Sequence, residues 1–236
     1  MSYWREQLFA NPDTAHSQPL VACSACLLGE PVRYDGGHKV QDHFEHWLLP
    51  HLQLQALCPE VGIGLGVPRP PLKVIASDFG ARIVQVEDES EDVTNAILDY
   101  ADSYLRKLGR FWPLCAYLFK ARSPSCDTTD GIFASRFKLW APWLTLVDEE
   151  DLQSEQNCQD LLLQAYLCRD IVWQTQDADI ERLKSHYSKL LQQEIDDNTP
   201  DRASLWSAVK SVLEQQTGEA RRELIDRYRA VKKTAR

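Results

Sequence analysis

The chain has 236 residues, enough for one large domain or a domain with an extension. It carries 26 Lys and Arg against 35 Asp and Glu, a formal net charge of −9, which argues against a general nucleic-acid binder with a basic face. With 44% hydrophobic and 26% charged residues it has an ordinary globular composition, which excludes collagen-like, disordered and disulfide-knot classes.

The N-terminal residues Met1 to Ala10 have no basic stretch followed by an apolar core. No apolar run approaches the ~18 to 20 residues of a membrane span. A cytoplasmic location is therefore expected. Seven cysteines are an odd number. In a reducing compartment they are buried small hydrophobes, reactive thiols or metal ligands rather than disulfides.

The first short apolar run is Leu20 to Cys26, which breaks into Leu27-Leu28-Gly29. A helix is expected over His43 to Leu54, and a second run over Gln55 to Cys58, stopped by Pro59. Lys73 to Ala76 and Arg82 to Val86 follow, separated by the turn Ser77 to Gly80. Val93, Ile97, Tyr100, Tyr104 and Leu108 recur at helical steps and predict a helix over Asp92 to Leu108. Cys115 to Phe119 and Leu144 to Val147 complete the strand candidates. Alternating strand and helix patterns predict an α/β domain with a mainly parallel sheet, over residues 1–154.

From Glu155 onward no strand pattern appears, and residues 155–236 are expected to be an all-helical C-terminal extension. Leu162, Tyr166, Ile171 and Trp173 mark one helix; Ile180, Leu183, Tyr187, Leu190 and Leu191 mark the next. Thr199-Pro200 is a capping hydroxyl followed by proline at the first helical position. Leu205, Trp206, Val209 and Leu213 follow it, and Leu224, Ile225, Tyr228 and Val231 mark a last helix. Arg221 to Arg236 is locally basic, which reads as a solvated helix face. The extension would pack on the α/β domain or form a dimer interface, so a monomer or a homodimer is expected.

Three cysteines fall where strands run into loops: Cys26, Cys58 and Cys126. In an open α/β sheet the carboxyl ends of the parallel strands form one rim, and ligands bind there. Three thiolates from such loops could meet on one soft metal centre, which would be zinc, Cu(I) or an iron–sulfur cluster. Each could equally be a buried hydrophobe. Cys23 and Cys26 form C-x-x-C with no second pair at zinc-ribbon spacing, leaving a redox dithiol open. Cys115, Cys158 and Cys168 lie in apolar stretches and read as core. Gly62-Ile63-Gly64-Leu65-Gly66 runs into prolines and cannot open an ordinary helix, so it reads as close backbone packing at a buried centre rather than a dinucleotide loop. Arg33 and Asp35 are an ion pair or part of a pocket, and His38, His43, His46 and His51 read as surface or satisfied histidines.

Ser24-Ala25-Cys26-Leu27-Leu28-Gly29, Val32-Arg33-Tyr34-Asp35-Gly36, Cys58-Pro59-Glu60-Val61, Pro68-Arg69-Pro70-Pro71 and Ser123-Pro124-Ser125-Cys126 occur together and in order. Over roughly residues 19 to 154 the chain resembles the DUF523 family, to which the thiouracil desulfurases (TudS-like enzymes) belong. The resemblance implies a Rossmann-like α/β domain with a [4Fe–4S] cluster held by Cys26, Cys58 and Cys126, Cys23 lying outside the ligand set. It also implies a catalytic glutamate at Glu60 and a catalytic serine at Ser123. Three ligands leave one iron open to a soft thiocarbonyl sulfur, with Glu60 as general acid/base. The expected reaction is non-redox removal of sulfur from a thiolated pyrimidine base or nucleoside, 2-thiouracil-like, giving the oxo base and hydrogen sulfide. Alternatives are a zinc- or cluster-binding interaction protein without catalysis, and an enzyme or binder acting on thiolated tRNA. Asp127 stands where the family usually has glycine, and would change the loop beside the cluster or place a carboxylate near it; Thr128 to Lys138 is short and poor in glycine, and would reshape the substrate pocket so that the substrate differs from free thiouracil.

Overall fold

The computed structural model describes residues 18–78, 80–107, 114–141 and 144–169. Pro19–Ala165 form one compact unit. The second unit, residues 1–18 with 166–236, falls almost entirely outside the described residues, as do the helices expected from Ile180 onward and the basic Arg221 to Arg236 segment.

The strands are β1 (Leu20–Ser24), β2 (Gln53–Leu57), β3 (Leu72–Ser77), β4 (Gly80–Gln85), β5 (Leu114–Phe119) and β6 (Thr145–Asp148). Four of them form a parallel sheet in the order β2-β1-β5-β6. The expected α/β class with a mainly parallel sheet is present. The central strands, Leu-Val-Ala-Cys-Ser and Leu-Cys-Ala-Tyr-Leu-Phe, are almost wholly buried and apolar apart from the hydroxyls of Ser24 and Tyr117, because a central parallel strand is covered on both faces. The edge strands β2 and β6 are more open.

β3 and β4 do not join this sheet. They pair antiparallel as a separate hairpin, Leu72 opposite Gln85 and Ser77 opposite Gly80. The turn between them is far too short for a parallel crossover, which needs about a dozen residues. Gly80, at φ 113°, supplies the left-handed backbone, and the Ser77 hydroxyl donates to its carbonyl at 2.6 Å.

Helix α1 spans only Asp42–Trp47, not His43 to Leu54 as the pattern suggested. Pro50 lacks an N–H and disfavours helical backbone before it, so Leu49–His51 is a 3-10 turn and β2 starts at Gln53. Helix α2 is the short turn Pro59–Gly62. Helix α3, Thr94–Leu105, buries Ile97, Ala101, Tyr104 and Leu105. Helix α4, Ile132–Trp140, has no counterpart among the elements expected from sequence, and buries Ile132, Phe133, Ala134 and Phe137. Its aromatic rings meet those of β5: Tyr117 and Phe119, two residues apart on one face, stack at 3.8 Å, and Phe137 stands edge-on to Tyr117 at 5.2 Å. Arg136 grips Asp102 of α3 through Nε at 2.5 Å and Nη2 at 2.6 Å. Helix α5 is Glu155–Cys168. No helix among the described residues is long and apolar enough to cross a membrane.

Candidate functional site

β1 and β5 are neighbours, yet the chain moves from β1 outward to β2 and from β5 outward to β6. The crevice between their carboxyl ends is a topological switch point, where open parallel sheets bind ligands. A cavity of about 290 Å³ opens there. Its lining includes Cys26, Cys58, Glu60, Ser123 and Cys126, all five of the site residues expected from sequence.

Each is placed by the element before it. β1 ends in a 3-10 turn, Ala25–Leu28, closed by Gly29 at φ 91°, and this turn carries Cys26. Cys58 is the N-cap of α2, whose first turn starts with Pro59 and carries Glu60. Cys126 follows β5 in a tight turn: its N–H donates to Ser123 Oγ at 3.2 Å, and the Asp127 N–H donates to the Ser123 carbonyl at 3.0 Å. Cys23 does not line the cavity. It is buried in β1, paired in register with Ala56 and Leu118. Cys115, Cys158 and Cys168 are buried, as expected of core positions.

The cavity carries four cations, each with an acid. At the rim, Arg33 Nε lies 3.4 Å from Asp35 Oδ1, so this pair is both an ion pair and part of the pocket wall. Arg122 pairs with Glu150 on the exposed surface. Deeper, Lys120 pairs with Glu149, whose second oxygen accepts the Ala121 N–H at 2.7 Å. Arg69 Nε donates to Glu60 Oε2 at 2.9 Å. The other Glu60 oxygen accepts from Ser125 Oγ at 3.1 Å. Sequence reasoning gave no role to Arg69, Ser125 or Lys120, although Arg69 and Ser125 lie inside quoted motifs.

Asp127 does not put a carboxylate into the cavity lining. It accepts the backbone N–H groups of Arg122 at 2.5 Å, Thr129 at 2.8 Å and Asp130 at 3.1 Å. Burial works against its charge, but these donors prevail and hold its carboxyl below the ordinary range. Arg122, at φ 56°, is a left-handed non-glycine residue, and the Asp127 side chain fastens it. Gly62 serves a helix contact rather than a buried centre: a Cβ there would run into the Tyr100 ring of α3.

Burial, then the neighbouring Cys58, push the Cys26 thiol up to about 11. Burial also raises Cys58, and burial followed by Cys58 raises Cys126 well above the ordinary thiol value. Three free thiols thus face one another across one cavity. As thiolates they need a positive centre, which a soft metal group would supply. Among the described residues no group of three His, Cys, Asp or Glu side chains is already arranged around a single metal ion. Ser24 Oγ, 2% exposed and lining the same cavity, has no well-aligned hydrogen bond among the described residues. It lies close enough to Cys126 to favour the thiolate as a donor. A buried hydroxyl without a well-aligned partner beside a cysteine, together with this all-thiol donor set, fits an iron–sulfur group at the site.

None of the curated proteins matches the chain. One solved structure, described as a [4Fe-4S]-dependent thiouracil desulfidase TudS (DUF523Vcz), is 25% identical, with a TM-score of 0.48. The match covers 61% of this chain and 99% of that one. The sequence model of the 2-thiouracil desulfurase family matches residues 21–142, just over half of the chain and every loop of the cavity. The chain belongs to the 2-thiouracil desulfurase family and is an enzyme of that type.

Proposed function

We propose that the protein removes sulfur from a thiolated pyrimidine, 2-thiouracil-like, as free base or nucleoside. Water exchanges with the thiocarbonyl, C=S + H2O → C=O + H2S, so atoms balance and no electrons are consumed. The observation that carries this reading is the convergence of Cys26, Cys58, Cys126 and Glu60 on one cavity at a switch point of the sheet. Residues 1–154 would then be a Rossmann-like catalytic domain, and residues 155–236 a helical extension.

Cys26, Cys58 and Cys126 would hold a [4Fe–4S] cluster. Bound there, the cluster supplies Lewis acidity toward a soft sulfur at the position the three cysteines leave open. The remaining work falls to the chain. Glu60 takes a proton from the attacking water and returns one to the departing sulfur, as general base and then general acid. Ser123 lines the cavity and offers its hydroxyl to the substrate. The walls contributed by Val32, Leu57, Pro71 and Leu72 are apolar and suit a flat heterocycle.

The first test is iron and acid-labile sulfide in protein prepared without oxygen, followed by sulfide release from 2-thiouracil. About four of each per chain, with both lost in Cys126→Ser, supports the reading. Zinc alone, or a cluster unaffected by Cys126→Ser, overturns it.

A further inference from the structure

Glu60 is held from both sides by residues that do not come from its own helix. Arg69 Nε donates to Oε2 at 2.9 Å, and Arg69 Nη2 lies 2.8 Å from the same oxygen. Arg69 is itself anchored, with Nη2 donating to the Val32 carbonyl at 2.9 Å and Nη1 to the Gly66 carbonyl at 3.2 Å. Its side chain is 5% exposed. On the other side, Ser125 Oγ donates to Oε1 at 3.1 Å from a fully buried position outside the cavity lining. Arg69, nine residues along the chain, and Ser125, 65 residues along, thus meet on one carboxylate.

An ionised carboxylate offers about four acceptor positions, two on each oxygen. The guanidinium lies against Oε2, with Nε donating to it and Nη2 at ion-pair distance. Ser125 takes one position on Oε1, and one remains. We propose that Ser125 and Arg69 are positioning residues for the desulfidation: they fix the plane of the Glu60 carboxylate and make Oε1 the oxygen that exchanges protons with the cavity. The inference rests on the reading of Glu60 as the proton-transfer group. Neither residue needs to touch substrate. Arg69 prevents rotation about the last side-chain torsion, and Ser125 decides which lone pair is left open. Arg69 holds Oε2 while it bonds the Val32 carbonyl, a geometry that lysine, a point charge, cannot reproduce.

The test compares wild type with Ser125→Ala and Arg69→Lys, all loaded with iron anaerobically. Expected for both variants is wild-type iron and labile sulfide, KM for 2-thiouracil within about twofold, and kcat lower by roughly tenfold to a hundredfold. A crystal structure of metal-free Ser125→Ala gives a readout independent of turnover. There the Arg69–Glu60 contact should persist while Oε1 changes its partner. Wild-type kcat in both variants overturns the inference. So does loss of iron in step with kcat, which would make the residues structural. Should Ser125→Ala fail to fold, Arg69→Lys decides the matter by the same split between kcat and KM. If wild type itself releases no sulfide from a thiolated pyrimidine, the functional reading fails instead, and the two failures are distinguishable.

Discussion

The loop that carries Cys126 leaves no room for a side chain at Gly131, and Gly131→Ala measures how tightly the site is built. Gly131 has φ −68° and ψ 126°, an ordinary extended conformation open to alanine, so backbone strain is not at issue. Space is. An added Cβ would lie 2.5 Å from the Asp127 nitrogen, 2.5 Å from the Asp127 carbonyl oxygen and 2.6 Å from the Ser125 carbonyl oxygen. All three are backbone atoms of the cysteine turn, so no side chain can rotate away. The turn must retreat, pulling on the Gly131 N–H bond to Asp127 O at 2.9 Å and the Phe133 N–H bond to Ser125 O at 3.0 Å. Overpacking of this kind costs about 1–3 kcal/mol. For a chain of this size that is roughly 2–4 °C in Tm per kcal/mol. Ser125 and Cys126 lie on the displaced segment, so turnover should fall by about tenfold or more, beyond what the loss of stability explains. Urea denaturation, iron content and sulfide release measure the three quantities. Gly29→Ala is the control: it meets no atom within 4 Å but sits at φ 91°, so it should cost about 1–2 kcal/mol of strain. Wild-type stability and turnover in Gly131→Ala would refute the packing argument.

Asp127→Ala removes the acceptor of three backbone N–H groups, and should destabilise the chain by about 1–3 kcal/mol in a denaturant titration while leaving the three cysteines able to bind iron. Glu149→Gln leaves Lys120 charged without its anion near the cavity floor, and should lower stability by about 3–5 kcal/mol; the double variant Lys120→Met/Glu149→Gln should recover part of that loss. Ser24→Ala removes the buried hydroxyl beside Cys126 and should shift the reduction potential of the proposed cluster downward in a spectroelectrochemical titration, with iron content unchanged. The Arg136 hydrogen bonds, opposed by partial burial, hold the Asp102 carboxyl below its ordinary value. Their stabilisation is complete above the unfolded carboxylate range, about pH 4, and is lost as pH falls through the lowered value. The stability gap between wild type and Arg136→Gln should therefore be largest at neutral pH and shrink toward pH 3 in urea titrations.

Strand positions were legible because β1 and β5 are continuous apolar runs, a signal that depends only on neighbours in sequence. The cysteines followed from them, since a loop after a parallel strand has one available rim. The hairpin of β3 and β4 was visible as two runs and a turn, but its separation from the sheet was not, because a short turn fixes the antiparallel pairing of two runs and not whether the pair also joins a third strand. Helix α4 escaped notice because its buried residues follow a motif read for chemistry, and nine residues give little periodicity. The same limit hid the Ser125 contact with Glu60. Ser123 and Ser125 share one motif, and spacing does not say which hydroxyl faces the cavity and which faces the carboxylate. That distinction comes from the turn that Ser123 itself caps.

The four ion pairs at the cavity differ in burial, and this divides the site into a rigid floor and an adjustable rim. Arg69–Glu60 and Lys120–Glu149 are withdrawn from water and anchored to backbone carbonyls or N–H groups as well as to each other. Breaking either leaves a buried charge unpaired, so each pair is a fixed piece of geometry. Arg33–Asp35 and Arg122–Glu150 are more exposed, and such pairs contribute about 0–1 kcal/mol. Solvent and salt can release either arginine at little cost. With Glu60 in its proposed role, orientation at the reacting atoms is where a displacement near 1 Å is expensive in rate, and there the chain places the buried, multiply bonded Arg69–Glu60 pair. At the mouth, where a ligand must enter and leave, it places cations whose partners let go easily. An acidic chain thus keeps a cavity lined by four positive side chains, with permanent neutralisation confined to the carboxylate that must hold still and to the lysine pair beside it.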